Sequence, residues 1–170
     1  MLPPVGNWID RFTEYSGRAV AWLSLVLALV VCGLVITRYA FRISLPALQE
    51  AALYLHATLF MVGAAFTLKS DGHVRVDIFY RGWSPRTRAW VDCIGTLVFL
   101  LPVCVLLLMT SWDYVAASWS IRETSSDPGG LPWVWLLKTL LLILPVMLIL
   151  QGVAELLRRL PVALGRVADL

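Results

Sequence analysis

Charge is scarce in this sequence. Only 15% of its 170 residues are Asp, Glu, Lys or Arg, against about 25% in an ordinary soluble domain. Whole stretches have none: Ala19 to Thr37 is uncharged, and so is Gly95 to Ser111. A soluble chain of this size has too much surface to hide several such segments. Their presence excludes an ordinary cytosolic enzyme, and their hydrophobicity excludes a disordered chain. Histidine is limited to two residues and cysteine to three. Cys32, Cys93 and Cys104 form no CxxC pair, no zinc pattern and no disulfide framework. They read as small buried hydrophobes. A Gly-rich phosphate loop, G-x-S-x-G and H-E-x-x-H are all missing, so no catalytic constellation is expected and the chain reads as a non-enzyme.

What is abundant is apolar. Hydrophobic residues make up 59% of the chain, and the mean hydropathy is +0.79. About 20 residues cross a bilayer as a helix. The pattern predicts an all-α integral membrane protein, a single domain over 1–170. Its expected spans are 19–37, 47–68, 91–110 and 131–151. Two further segments, 3–18 and 78–90, read as amphipathic helices lying in the interface. The leader before the first span carries Asp10 and Glu14, and no small-x-small cleavage site follows, so that span is expected to be retained. Pro102 is expected to kink the third span, and Pro145 to be a kink or a packing point in the fourth.

The net charge is +3, and its distribution sets orientation rather than nucleic-acid binding. With the N-terminus inside, Arg11, Arg18, Lys69, Arg75, Arg81, Arg86, Arg88, Arg158, Arg159 and Arg166 share the inner side. Only Arg38, Arg42 and Arg122 fall outside. This asymmetry predicts both termini in the cytoplasm. Trp8, Trp83, Trp90, Trp112, Trp119, Trp133 and Trp135 cluster at span ends, the depth where an indole keeps its ring apolar and its N–H wet.

Few polar residues need explanation. Glu50 lies one turn into the second span, and three roles fit it: a solvated cap-region acid, the partner of an arginine, or a transport acid. His56 lies six residues deeper. At such depth a polar residue ordinarily faces protein and forms a hydrogen bond, so packing outweighs proton handling. Arg38 and Arg42, around Tyr39, suit lipid phosphates or a neighbouring carboxylate. The run from Lys69 through His73 and Arg75 to Asp77 is either a plain loop or a segment that pins a hairpin or docks a partner. Asp92, Asp113, Lys138 and Glu155 read as interfacial or snorkelling groups. Gln151 and Thr58 suit bonds between helices, and Gly63, Ala64 and Ala65 suit close helix packing.

Several of these residues together resemble a known family. Thr37-Arg38-Tyr39-Ala40-Phe41, Leu45-Pro46, Glu50, Gly63-Ala64-Ala65, Gly72-His73-Val74-Arg75-Val76-Asp77 and Leu131-Pro132-Trp133 are similar to the small membrane subunit, or DctQ-like small permease, of tripartite ATP-independent periplasmic (TRAP) transporters. Two positions depart from its pattern: Ala47 where a tryptophan is common, and Gln49-Glu50 where paired acids are common. The resemblance implies a multi-pass subunit of the bacterial inner membrane. It implies a large permease partner that carries the substrate and sodium sites, and a periplasmic binding protein that delivers an organic acid. The small subunit would be a scaffold among phospholipids, with no cofactor or metal of its own and no nucleic acid. Arg38, Tyr39, Arg42, Glu50, His56, His73, Arg75 and Asp77 are then candidates for structural, lipid or subunit contacts. Two other readings stand beside it: a stand-alone proton-coupled transporter using Glu50 and His56, and a non-transport assembly or sensor module.

Overall fold

A computed structural model describes residues 4–73, 80 and 82–165. Arg75 and Asp77 lie outside the described residues. The described chain is helical: α1 (Pro4–Ala40), α2 (Pro46–Lys69), α3 (Pro85–Gly95), a π-turn (Thr96–Leu100), α4 (Leu101–Ser120) and α5 (Val134–Ala163). With α3, the π-turn and α4 running on as one rod, the described residues form four helices long and apolar enough to cross a membrane.

The helices are longer than the expected spans. Residues 4–18 do not form a separate interfacial helix; they are the first turns of α1, whose 37 residues extend about 55 Å at 1.5 Å per residue. The reason is a face the aromatic pattern obscured. Gly6, Ile9, Thr13 and Gly17 recur at helical spacing and are all buried, while Trp8, Phe12 and Tyr15 point outward. Gly17 makes this packing possible, because a Cβ there would stand 2.6 Å from Phe66 Cβ on α2. Of the 78–90 segment, residues 78, 79 and 81 lie outside the described residues, and residues 85–90 open α3. Ser84 caps α3, accepting the Thr87 N–H at 3.2 Å, and Pro85 takes the first turn, where its missing donor is harmless. From there the helix continues to Ser120.

Pro102 leaves its mark one turn upstream. It has no N–H for the carbonyl four residues back, and its ring crowds that carbonyl. The backbone responds with the π-turn, in which the Leu101 N–H reaches Thr96 O. This bulge rests on Gly152 of α5, where a Cβ would come within 2.8 Å of Leu100 Cδ2. Pro145 is buried inside α5.

α5 is the central element. It touches α1 and α2 on one side and the α3–α4 rod on the other, and it is the most buried of the four. The first turns of α1 meet the last turns of α5, so these two helix ends lie at one end of the bundle. Among the described residues the hydrophobic interior is small: Ile9, Ala65, Ala89, Cys93, Cys104, Val115, Leu140, Met147, Ala154 and Ala163. Cys93 and Cys104 are buried as expected, whereas Cys32 faces outward; all three are free.

Candidate functional site

Polar groups gather at the two ends of the bundle. At the end without termini, Glu50 in the first turns of α2 reaches across to the loop before α5. Its Oε1 accepts the Ser125 hydroxyl, and its Oε2 accepts the Leu131 N–H at 2.6 Å. The loop is itself closed: Ser125 N–H donates to Leu131 O at 3.1 Å, and Asp127 N–H donates to Ser125 Oγ at 3.0 Å. Gly130 must be small, since a Cβ would sit 2.7 Å from Glu50 Oε1. Among the described residues, Glu50 thus ties the first turns of α2 to the loop before α5.

Beside this clamp, Lys138 near the start of α5 pairs with Glu123 and lies 4.0 Å from the centre of the Tyr114 ring. The Lys138 ammonium holds the Glu123 carboxyl below the usual carboxylate range. Trp119 and Trp135 meet edge to face at 4.5 Å, the Trp119 indole donates to Thr139 Oγ1 at 2.9 Å, and Arg122 lies 5.0 Å from the Trp135 ring. This belt supports an interfacial depth for that end. Arg38, Tyr39 and Arg42 are exposed. Arg38 and Tyr39 line an open groove of about 240 Å³ that also includes Leu45 and Gln49. Trp112 and Trp133 face outward nearby.

The end that holds the termini carries a longer chain of bonds. Thr13 on α1 donates to Gln151 Oε1 on α5 at 2.9 Å. Gln151 Nε2 donates to Asp10 Oδ1 at 3.1 Å, and Arg158 donates to Asp10 Oδ2 at 2.7 Å. Arg159 holds Glu155 at 2.7 Å and Asp92 at 3.6 Å. The Tyr80 hydroxyl donates to that same Asp92 oxygen at 2.8 Å. Lys69 ends α2 on Glu14 and on the Asp10 carbonyl. Gln151 and Thr13 are buried, so their mutual bond removes a desolvation cost each would otherwise carry.

These placements correct some readings and leave others open. Glu155 is buried and paired rather than snorkelling, because Arg159 lies one turn on. Lys138 and Asp92 are paired too. Gln151 does bond between helices, whereas Thr58 bonds the Tyr54 carbonyl of its own helix. Asp10, Thr13 and Ser125 were not singled out by sequence, although Thr13 shares the buried face of α1. His73 is exposed just after the turn in which Gly72 N–H returns to Thr67 O. Trp83 and Trp90 also face outward. His56 is exposed as well, so within this chain it does not face protein. Among the described residues, no three His, Cys, Asp or Glu side chains converge to hold a metal ion.

The geometry matches motif to motif: Glu50 and Leu131-Pro132-Trp133 belong to the same resemblance, and they meet in one clamp. A family model described as the DctQ component of tripartite ATP-independent periplasmic transporters matches residues 8–162. The chain belongs to the DctQ family. A C4-dicarboxylate TRAP transporter small permease protein DctQ from Vibrio cholerae serotype O1 is 27% identical to this DctQ chain over 110 residues. That match covers 65% of the chain and 46% of the relative, so it spans about half of the relative's length. No solved structure matches this DctQ sequence.

Proposed function

We propose that this chain is the small, stationary membrane subunit of a TRAP-type transporter, and that it steadies a large permease subunit in the bacterial inner membrane. Family membership supports the assignment. The observation that carries the scaffold role is how the polar side chains inside the bundle are used. Gln151, Thr13, Asp10 and Arg158 tie α1 to α5 instead of lining a path between them. Such bonds give the helices one fixed arrangement, which suits a frame against which a partner moves.

The large partner would carry the substrate and sodium sites, and a periplasmic binding protein would deliver an organic acid. Both termini would lie in the cytoplasm. The positive-inside asymmetry supports this, as does the meeting of the start of α1 with the end of α5 at one end of the bundle. Arg38, Tyr39 and Arg42 would meet lipid phosphates or the partner at the opposite end. Arg75, Asp77 and His73 would serve contacts on the cytoplasmic side.

The rival of a self-contained proton-coupled transporter asks Glu50 and His56 to share a path. Six residues separate them by about 9 Å along the axis and about 120° around it, and Glu50 is already engaged by the loop. Reconstitution tests the proposal. Liposomes holding this chain alone should take up no organic acid under a sodium or proton gradient. Adding the large permease and the binding protein should restore uptake. Gradient-driven uptake by the chain alone would overturn it.

A further inference from the structure

α2 is the anomaly of the bundle. It is the least apolar of the four spans, with a mean hydropathy of 1.6 where α1 has 2.8. A polar helix should be the better hidden one, yet only 6% of its most apolar stretch is buried inside the chain. α5, at 2.4, has 39% buried. Lipid suits the outer face of α1, which presents Trp22, Leu25, Leu29 and Ile36. It does not suit what α2 presents.

Gln49, Leu53, His56 and Phe60 are the exposed residues of α2 before its last turn. With Gly63, where an added Cβ would meet nothing within 4 Å, they fall within about 80° of the helix circumference at 100° per residue. The arc runs opposite Ala65, which is fully buried against the bundle. His56 lies about 15 Å from Pro46 and about 20 Å from Lys69 along the axis, close to the middle of a core about 30 Å thick. Its ring stacks on Phe60 at 6.5 Å, and among the described residues it has no hydrogen bond or ion pair. An imidazole facing hydrocarbon at that depth leaves its donor and acceptor unmet. A second transmembrane helix meets them. The open Gly63, two turns on from His56, lets a second backbone approach closely.

We propose that the stripe Gln49–Leu53–His56–Phe60–Gly63 seats a transmembrane helix of the large permease, which supplies the hydrogen-bond partner of His56. This rests on the subunit reading above and specifies its contact face. Lipid leaves the imidazole unsatisfied, which is why a protein helix is the occupant.

The test uses the full chain co-expressed with the large permease subunit of its transporter. Gly63→Leu and His56→Leu should each lower co-purified permease by about tenfold, the factor that corresponds to about 1.4 kcal/mol. Neither should lower the melting temperature of the chain purified alone, because neither position packs inside it. His56→Gln, which keeps a donor and an acceptor, should retain most of the binding. Gly33→Leu is the matched control: Gly33 is an equally open glycine, on α1, and its substitution should change nothing. A photo-crosslinking residue at Leu53 or Phe60 should join the permease, and one at Leu29 should not. Permease recovered equally with wild type and Gly63→Leu would overturn the stripe and leave the subunit reading standing. Crosslinks from α2 to lipid or to a second copy of this chain would do the same. No permease recovered with the wild-type chain would overturn both.

Discussion

Removing the Glu50 carboxylate should loosen the loop before α5. The carboxylate accepts two bonds, from Ser125 Oγ and from the Leu131 N–H at 2.6 Å. A hydrogen bond to a charged group contributes about 1.5–3 kcal/mol. Both bonds lie at the water-facing end of the bundle and share one carboxylate, so the pair contributes at most twice the lower bound, about 2–3 kcal/mol, to local closure. At about 1.4 kcal/mol per factor of ten, Glu50→Ala should speed amide exchange in residues 125–131 by about 30- to 150-fold. Glu50→Gln keeps one carbonyl oxygen to accept one of the two donors, so its effect should be about half in free energy, or about five- to tenfold. Hydrogen–deuterium exchange with mass spectrometry, on the protein in nanodiscs, reads this directly. Exchange at the Tyr54–Thr58 amides inside α2 should stay unchanged. An effect under about threefold in Glu50→Ala would refute the clamp, and loss of transport without faster exchange would return Glu50 to a direct role in transport.

Four further outcomes follow from the packing and the charges. Gly17→Ala places a Cβ against the Phe66 Cβ and ring and should cost about 1–3 kcal/mol, seen as a lower melting temperature in detergent; adding Phe66→Ala should recover part of it. Gly152→Val presses on Leu100 and Thr96 of the π-turn and should cost about 1–2 kcal/mol by the same measurement, the smaller cost reflecting the flexible end of Leu100. Gln151→Leu conserves volume but strands the Thr13 hydroxyl and removes one bond to Asp10; thermal unfolding should show a loss of about 1–2 kcal/mol. Glu123 has a depressed carboxyl in the folded chain, so its contribution is present above the unfolded carboxylate pKa and is lost as pH falls through the folded value. Acid titration of the carboxyl by NMR should therefore show a midpoint below the ordinary range that moves back up in Lys138→Met.

Much of the fold was legible because hydrophobic length is a strong signal and only helices of that length occur here. The uncharged runs around Leu27 and Val103 locate two spans without further help. The continuity of α1 was less legible. Trp8, Ile9, Phe12 and Tyr15 suggested one interfacial face, but Ile9 is buried and packs with Gly6, Thr13 and Gly17, three small or mildly polar residues that a hydropathy pattern does not register. Residue choice was legible where the position itself was odd: Glu50 in a first turn, His56 at mid-span, Gln151 inside a span. Their partners were not. Thr13 and Gln151 are separated by 138 positions, and Glu50 and Ser125 by 75, so only the packing of helices brings them together. Orientation around an axis was equally out of reach. The depth of His56 could be read from its place in the span, but its outward direction depends on which side of α2 meets α1 and α5. Family membership came through because its motifs are local runs, and two of them converge on the Glu50 clamp.

The central claim is that this chain works as the fixed partner of another membrane protein. Affinity purification of the tagged chain from its native membrane in mild detergent, followed by mass spectrometry, tests it most directly. The account predicts recovery of a large, multi-span permease in equal stoichiometry, stable through size exclusion. A chain that emerges alone, and that alone catalyses gradient-driven uptake in liposomes, would contradict it.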